Sequence, residues 1–410
     1  MRNIIQILLS MSLILLFSCS ASVKDHNRLI SPINNNENLS IIDIDKAVEE
    51  NKILYSSLFK PPKSIILETN ENCLIKSEGG LQVYKNRIYI LDKDNKNLFV
   101  FDMNGVFVQK IGSVGSGPGE FYDISDFTID IQNNVIYLLD DYTNIVNKYD
   151  ATSGEFIEKI KIEANNEQAS IIQYISGYLY TNSLPMNGNL EKHLLMKINA
   201  VNGKQEAIYL DAAKYNKGSN LQLRNTSSFF YSRNSHSPKY VEMFMDTIIS
   251  ISKEEIVPIF AIKSKYFVTN NDLEEIHKTY MQKGVHDFSP IYEKGKIFNI
   301  NNYIEFDNFV CFQFEKGNDR FYLLYNTSTQ EVKITKFLMN DFIMSENRIP
   351  MDLCFSDEKG IYALLRQDFI PYFVDVINSG QINPSVDQYE KILKIQEDSN
   401  PIIFYHEYTE

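Results

Sequence analysis

From about residue 62 onward the chain is built of short apolar runs, each ended by Asn, Asp or Gly. Arg87-Ile-Tyr-Ile-Leu-Asp92 and Leu98-Phe-Val-Phe-Asp102 are typical. Such runs are too short for helices and rich in β-branched and aromatic residues, while the residues between them suit tight hairpin turns. The runs recur. Asp92 is matched by Asp140 in Val135-Ile-Tyr-Leu-Leu-Asp140, and Asp102 by Asp150 in Val146-Asn-Lys-Tyr-Asp150, both displaced by 48 positions. Gly105-Val-Phe-Val-Gln-Lys-Ile111 returns as Gly154-Glu-Phe-Ile-Glu-Lys-Ile160, with one residue added in the turn after Asp150. A period of this size made of short strands predicts propeller blades rather than a helical solenoid.

Each clear unit parses as four strands. In the second, Ile124 to Asp130 leads through Asn133-Asn134 into Val135 to Asp140. Ile145 to Tyr149 and Phe156 to Ile162 follow, separated by the turn Asp150 to Gly154. Fainter copies continue around Tyr178 to Gly203, Tyr240 to Ile262 (with Tyr240 to Met245 as one strand), Tyr303 to Thr335, and from Gly360. The count predicts an all-β fold, a six-bladed β-propeller of four-stranded antiparallel blades occupying residues 61–410. Two stretches break the strand pattern. Asn271 to Lys283 begins with capping residues and predicts an inserted helix, within an insertion at about 264–300. Pro384 to Gln396 places Val386, Tyr389, Ile392 and Leu393 at helical spacing and predicts a short C-terminal helix. Asn400 to Tyr408 then reads as a last strand. Ser64-Ile-Ile-Leu-Glu68 is expected to pair in the same blade and close the ring, which removes the exposed sheet edges.

The N-terminus reads differently. Arg2 precedes the apolar stretch Ile4 to Phe17, which is shorter than the ~20 residues a bilayer span needs and lacks a basic stop-transfer cluster. Residues 1–18 therefore read as a secretory signal. Leu16-Phe17-Ser18-Cys19 resembles the lipobox of bacterial lipoproteins, which implies cleavage before Cys19 and its lipidation, anchoring the chain to a membrane. Residues 19–60 are polar and Asn-rich, as at Asn34-Asn35-Asn36, and read as a tether, with a short helix possible over Ile41 to Ser56 before Pro61-Pro62.

Composition narrows the function classes. Forty Lys and Arg against 53 Asp and Glu give a formal charge of −13, so attraction to nucleic acid phosphates is not expected. Beyond Cys19, the cysteines Cys73, Cys311 and Cys354 are widely spaced and form no CxxC. Cys311 and Cys354 read as buried strand residues rather than as a disulfide.

Ile111-Gly-Ser-Val-Gly-Ser-Gly-Pro-Gly-Glu-Phe121, followed by the strands ending at Asp140 and Asp150, resembles the six-bladed β-propeller lipoproteins of Bacteroidales, and more broadly the NHL repeat. The C-terminal Ile392 to Tyr405 segment fits the same group. Tyr122-Asp123-Ile124 stands where an NHL unit often carries proline. The resemblance implies a fold and an envelope address, and it supplies no catalytic residue.

The candidate sites are weak. Gly112 to Gly119 is glycine-rich but is followed by a strand and contains no lysine, so it reads as an interblade turn over Phe121 rather than as a phosphate cradle. The histidines His26, His193, His236, His277, His286 and His406 form neither HxH nor HExxH; His236, His277 and His286 could converge around the inserted helix. Asp92, Asp140 and Asp141 read as turn caps more than as a ligand ring. Tyr178, Tyr180, Phe229, Phe230 and Tyr231 could stack on sugars, although most should pack between blades. No catalytic, cofactor or metal residue is assigned; structural calcium in the channel would leave no trace in the sequence. The reading is a lipid-anchored, non-enzymatic binding module for an envelope protein, peptide or glycan. It is placed at the outer membrane, with the periplasmic face favoured over the cell surface. The alternative is a metal-dependent lyase or hydrolase acting on a sugar or peptide at the propeller axis. Three carboxylate or imidazole groups meeting at one axial point would favour the enzyme, and an apolar, tyrosine-lined axis would favour binding.

Overall fold

In the computed structural model, residues 30–36, 38–164, 167–185, 193–217, 229–230, 237–285, 287–344 and 349–409 are described. The signal segment, Cys19, His26, Tyr231, His236 and His286 lie outside them. Six sheets form the blades of a propeller. Blade 1 comprises Glu78–Tyr84, Arg87–Asp92, Asn97–Asp102 and Phe107–Ile111. Blade 2 repeats the plan with Asp126–Asp130, Val135–Asp140, Ile145–Asp150 and Phe156–Lys161. The inner strands of blades 3 to 6 are Ile172–Ile175, Phe229–Phe230, Ile297–Phe306 and Asp352–Ser356.

The ring closes as expected. Lys63–Ile66 pairs antiparallel with the C-terminal strand Ile402–Glu407 as the outer strand of blade 6, with Ile66 opposite Ile402. A second lock lies beside this seam. The buried Asn400 accepts a hydrogen bond from Ile75 N at 2.8 Å and donates to the carbonyls of Glu68 at 2.6 Å and Cys73 at 2.8 Å. Buried amides of this kind persist only when their polar atoms are satisfied, so Asn400 holds both chain ends in one register.

Aromatic side chains fill the spaces between blades. Tyr89, Phe121 and Phe127 share one cluster between blades 1 and 2. Phe59, Phe306 and Phe404 share another between blades 5 and 6, where the Phe59 and Phe306 rings are 5.0 Å apart. Cys73 and Cys311 are buried, Cys354 is half-buried, and all three are free thiols.

Four expectations need correction. The first concerns the tether. Residues 31–36 and 38–59 form a strap around the rim instead. Ser31 bridges to Tyr209, Ser40–Asp43 adds a parallel fifth strand to blade 4, and Val48–Glu49 does the same for blade 5. Ile53–Leu54 then pairs with Leu338–Met339, and Phe59 bridges to Tyr408 of blade 6. Ile42, Tyr55 and Phe59 are at most 1 % exposed, so spaced apolar residues within a polar segment anchor it. The second is the helix expected over Ile41 to Ser56, where these strands stand with two 3-10 turns, Ile44–Lys46 and Tyr55–Ser57. The third is the extent of the C-terminal helix: a short helix is present as expected but spans Tyr389–Ile392, and Gln388 before it takes a left-handed φ of 57° that prevents extension towards Pro384. The fourth is the strand over Tyr240 to Met245, which ends at Tyr240.

The inserted helix is Asn270–Lys283, capped by Thr269 and Asp272. The helix Ile370–Asn378 was not anticipated: Pro371 opens it, and Ile370, Phe373 and Val376 form its buried face.

Candidate functional site

Strands alternate in direction within each blade. The segments joining successive blades, and those joining the second and third strands of a blade, therefore emerge on one face of the ring. That face carries the long segments 112–125, 264–296, 336–351 and 366–401. The opposite face is mostly tight turns such as 85–86, 131–134 and 307–308. Functional loops are expected on a decorated face presented by a rigid scaffold.

The glycine-rich segment on this face is structural, as its sequence suggests. Gly112 has a φ of 66°, and a Cβ there would come within 2.6 Å of the Tyr149 hydroxyl and 2.7 Å of the Phe121 ring. Glu120 accepts a hydrogen bond from Gly117 N at 2.7 Å, and Tyr149 donates to the Gly119 carbonyl at 3.0 Å. Asp92 and Asp140 are buried clamps. Asp92 accepts from Lys76 N at 3.0 Å and Ser77 N at 3.1 Å, and Asp140 from Tyr122 N at 2.8 Å and Thr143 N at 3.0 Å. Asn182 does the same for Ser170 N in blade 3 at 2.9 Å. Each side chain ties the incoming interblade segment to the end of a second strand. The carbonyl of Asp141 accepts from the Gln168 side chain.

Among the described residues, the histidines His193, His277 and His406 are dispersed. His193 lies 3.3 Å from Glu167, and His277 is on the inserted helix. His406 in the closing strand is buried, with Nε2 2.9 Å from the Asn340 amide and Nδ1 3.1 Å from the Lys60 carbonyl. Burial lowers its pKa to about 4. No three His, Cys, Asp or Glu side chains among the described residues are grouped to hold a metal ion. Tyr180 is buried, Tyr178 lies under Lys197, and Phe229 packs on Tyr240.

What the topology does bring together is a cavity of about 320 Å³ on the propeller axis, lined by the inner strands of all six blades. Its two halves differ. On the side of blades 6, 1 and 2 stand Asp352, Arg366, Glu78, Lys93 and Asp126. Across the axis, blades 4 and 5 supply Phe229, Phe230 and Tyr303, with the Phe230 and Tyr303 rings 6.3 Å apart. Gln173 of blade 3 completes the wall, donating to Thr128 Oγ1 at 3.1 Å.

The charged half is held by neighbouring backbone and side chains. Arg366 lies 3.6 Å from Asp352 and 3.2 Å from Asp368. Glu78 accepts from Gln367 N at 2.6 Å, and Asp126 from Ile172 N at 2.9 Å. Lys93 passes over Gly79, where a Cβ would come within 2.4 Å of its Cε; the missing side chain is what lets the lysine lie along the wall. Among the described residues Lys93 has no ion-pair partner, although its charge acts on Asp126. Desolvation inside the ring pushes the Asp126 carboxyl up to about 6, and burial likewise raises that of Glu78. The carboxylates are distributed around one half of the ring and combined with cations, an arrangement that can hold a polar or charged ligand group against an aromatic wall. No single line of the sequence announces it. Glu78, Lys93 and Arg366 each stand at a strand end, and only the six-fold arrangement places them together.

Fold and cavity together define a six-bladed β-propeller with an axial ligand-sized pocket on its decorated face. Residues 39–407 match the family model described as a domain of unknown function, DUF4934, and the chain belongs to that family. No curated protein sequence matches it. Among solved structures, it is similar to a Bacteroides fragilis protein described as exported, at 20% identity and a TM-score of 0.71, over 90% of this chain and 100% of that one. It is also similar to a member of the DUF4221 family from Bacteroides vulgatus, at 12% identity and a TM-score of 0.50, over 85% of this chain and 97% of the other. At these identities the likeness is one of fold. Among the described residues, no helix is long and apolar enough to cross a membrane.

Proposed function

We propose that this protein is a lipid-anchored envelope propeller that binds a protein, peptide or glycan ligand without transforming it. The observation that carries the reading is the axial cavity with one charged and one aromatic half, opening among the long segments of the decorated face. Pockets of this size and mixed lining suit small ligands or single inserted side chains. The lipobox-like sequence before Cys19 and the exported description of the Bacteroides fragilis protein both support an envelope address; the outer membrane and its periplasmic face are part of the proposal.

The strap changes the geometry of anchoring. Because residue 31 already pairs with the rim of blade 3, the leash from Cys19 comprises residues 20–30. At ~3.3–3.6 Å per residue when fully extended, this stretch sets an upper limit of about 40 Å on the distance between a lipidated Cys19 and the rim. Metabolic labelling with an alkyne fatty acid tests the anchor. Label should appear on the wild-type protein and in the membrane fraction, and Cys19→Ala should lose both. Persistence of label and membrane association in the variant would overturn the assignment. Binding is tested by titrating envelope glycans and peptides into the detergent-extracted protein, with Phe230→Ala as the variant that should weaken the ligand found.

A further inference from the structure

Resting on that reading of the axial pocket, we infer that its ligand group is an organic cation: an ammonium carried on an apolar, preferably aromatic, body. The ammonium would lie against Glu78 and Asp126, and the body on Phe230 and Tyr303.

Three observations lead there. The first is the charge count of the cavity wall. Glu78, Asp126 and Asp352 face the two cations Lys93 and Arg366, and Arg366 is already shared between Asp352 and the rim residue Asp368. One carboxylate of the wall is left in excess. The second is desolvation. Glu78 and Asp126 both have raised pKa values because the ring strips water from them, and Lys93 compensates Asp126 only in part. A cation entering between them supplies the missing charge and replaces the lost hydration, whereas an anion would add to the penalty. The third is the wall opposite. Phe229, Phe230 and Tyr303 offer apolar ring surface and π-faces across the axis, which favour a flat apolar body and also attract a cation. The formal charge of −13 adds long-range attraction of cations. At about 320 Å³ the cavity admits an arylalkylamine or one basic side chain of a peptide. These two sources share the same chemistry.

The experiment is isothermal titration of the full-length, detergent-extracted protein with four probes. They are phenethylammonium, phenylacetate, n-butylammonium and the capped peptide acetyl-Gly-Lys-Gly-amide. Phenethylammonium should bind at least tenfold more tightly than phenylacetate, which has a similar body and the opposite charge, and more tightly than n-butylammonium, which lacks the ring. Asp126→Asn and, independently, Glu78→Gln should each weaken it about tenfold, and Phe230→Ala about fivefold, with circular dichroism and cooperative unfolding confirming the fold. Binding of the lysine peptide, displaced by phenethylammonium, would identify a peptide as the source; binding of the free amine alone would identify a small molecule. Phenylacetate binding as tightly as the amine, or no amine binding to folded protein, would overturn the inference. The binding-module reading survives that result if a glycan or other envelope ligand still responds to Phe230→Ala, and falls if none does.

Discussion

Blades 1 and 2 and blades 4 and 5 are built on the same four-stranded plan, yet they meet their surroundings in opposite ways. The outer strands of blades 1 and 2, Phe107–Ile111 and Phe156–Lys161, end their sheets. The outer strands of blades 4 and 5 are each covered by a parallel strand from the N-terminal strap. Across the axis the contrast runs through the cavity, with charge on the blade 1 and 2 side and aromatic surface on that of blades 4 and 5. The uncovered blades carry polar and charged residues along their outer strands, Gln109 and Lys110 in blade 1 and Glu158, Lys159 and Lys161 in blade 2, which suits a sheet edge facing water. The covered blades place Phe260 and Ile262 inward beside the buried Ile42. The strap is therefore part of the core of blades 4 and 5 and adds no strand to blades 1 and 2.

The largest test of this asymmetry removes strap packing. Phe59→Ala should cost about 3–5 kcal/mol, because a fully buried ring in contact with Phe306 is replaced by a cavity. Val108→Ala on the uncovered edge of blade 1, where the side chain is 40 % exposed, should stay within about 0.5 kcal/mol. Urea unfolding of the two variants measures the difference. Equal losses would mean that the strap is an appendage and not core.

A second contrast separates the seam from the cavity by pH. His406, at the seam under the strap, has a folded pKa of about 4 against an ordinary value of 6.5. The unfolded chain takes up the proton first, so its contribution is complete above about 6.5 and is lost as pH falls towards 4, at about 3 kcal/mol over the whole interval. Asp126, in blade 2, has the opposite sign. Its folded pKa of about 6 lies above the ordinary 3.8, so its favourable contribution is present below about 4 and is lost as pH rises through 6, to about 2–3 kcal/mol. Relative to wild type, Asp126→Asn should therefore gain stability on going from pH 4 to pH 7. His406→Gln should lose relative stability over the same rise, because it lacks the group whose neutral form is favoured at high pH. Chemical denaturation at several pH values checks both slopes. Slopes of the same sign would refute the assignment of at least one group.

Much of the fold was legible because blades 1 and 2 repeat almost residue for residue. In them Asp92 accepts from Asn95 N and Asp140 from Thr143 N, each three residues further on, so the same turn chemistry is written twice at the same spacing. The closing strand Lys63–Ile66 was legible for a related reason: a ring of sheets must tie its termini together. The strap was not. The buried Ile42, Ile44 and Ile53 lie in a largely polar segment, and their burial depends on the outer strands of blades distant in sequence. The cavity was even less legible. Glu78, Asp126 and Asp352 hold corresponding places at the starts of three inner strands, but Lys93 and Arg366 come from second-strand ends, and Gly79 matters only because a lysine crosses it. Pairings set by ring closure leave no local signature.

The smallest test concerns the helix that blade 5 carries on the decorated face. Thr269 Oγ1 accepts from Asp272 N at 3.4 Å, and the Asp272 carboxylate accepts from Thr269 N at 2.9 Å. Burial alone would raise the Asp272 pKa, yet hydrogen bonds from Thr269 and Lys296 hold it at about 2. Thr269→Ala removes half of this capping box and should cost about 1 kcal/mol. Because the helix Asn270–Lys283 projects from one interblade segment, that cost should appear as faster amide exchange within it, with blades 1 and 2 unchanged. Hydrogen exchange read segment by segment decides the matter. A comparable rise in blades 1 and 2 would show that the insertion and the far side of the ring open as one cooperative unit, and the division between the two halves of the propeller would then be one of packing alone.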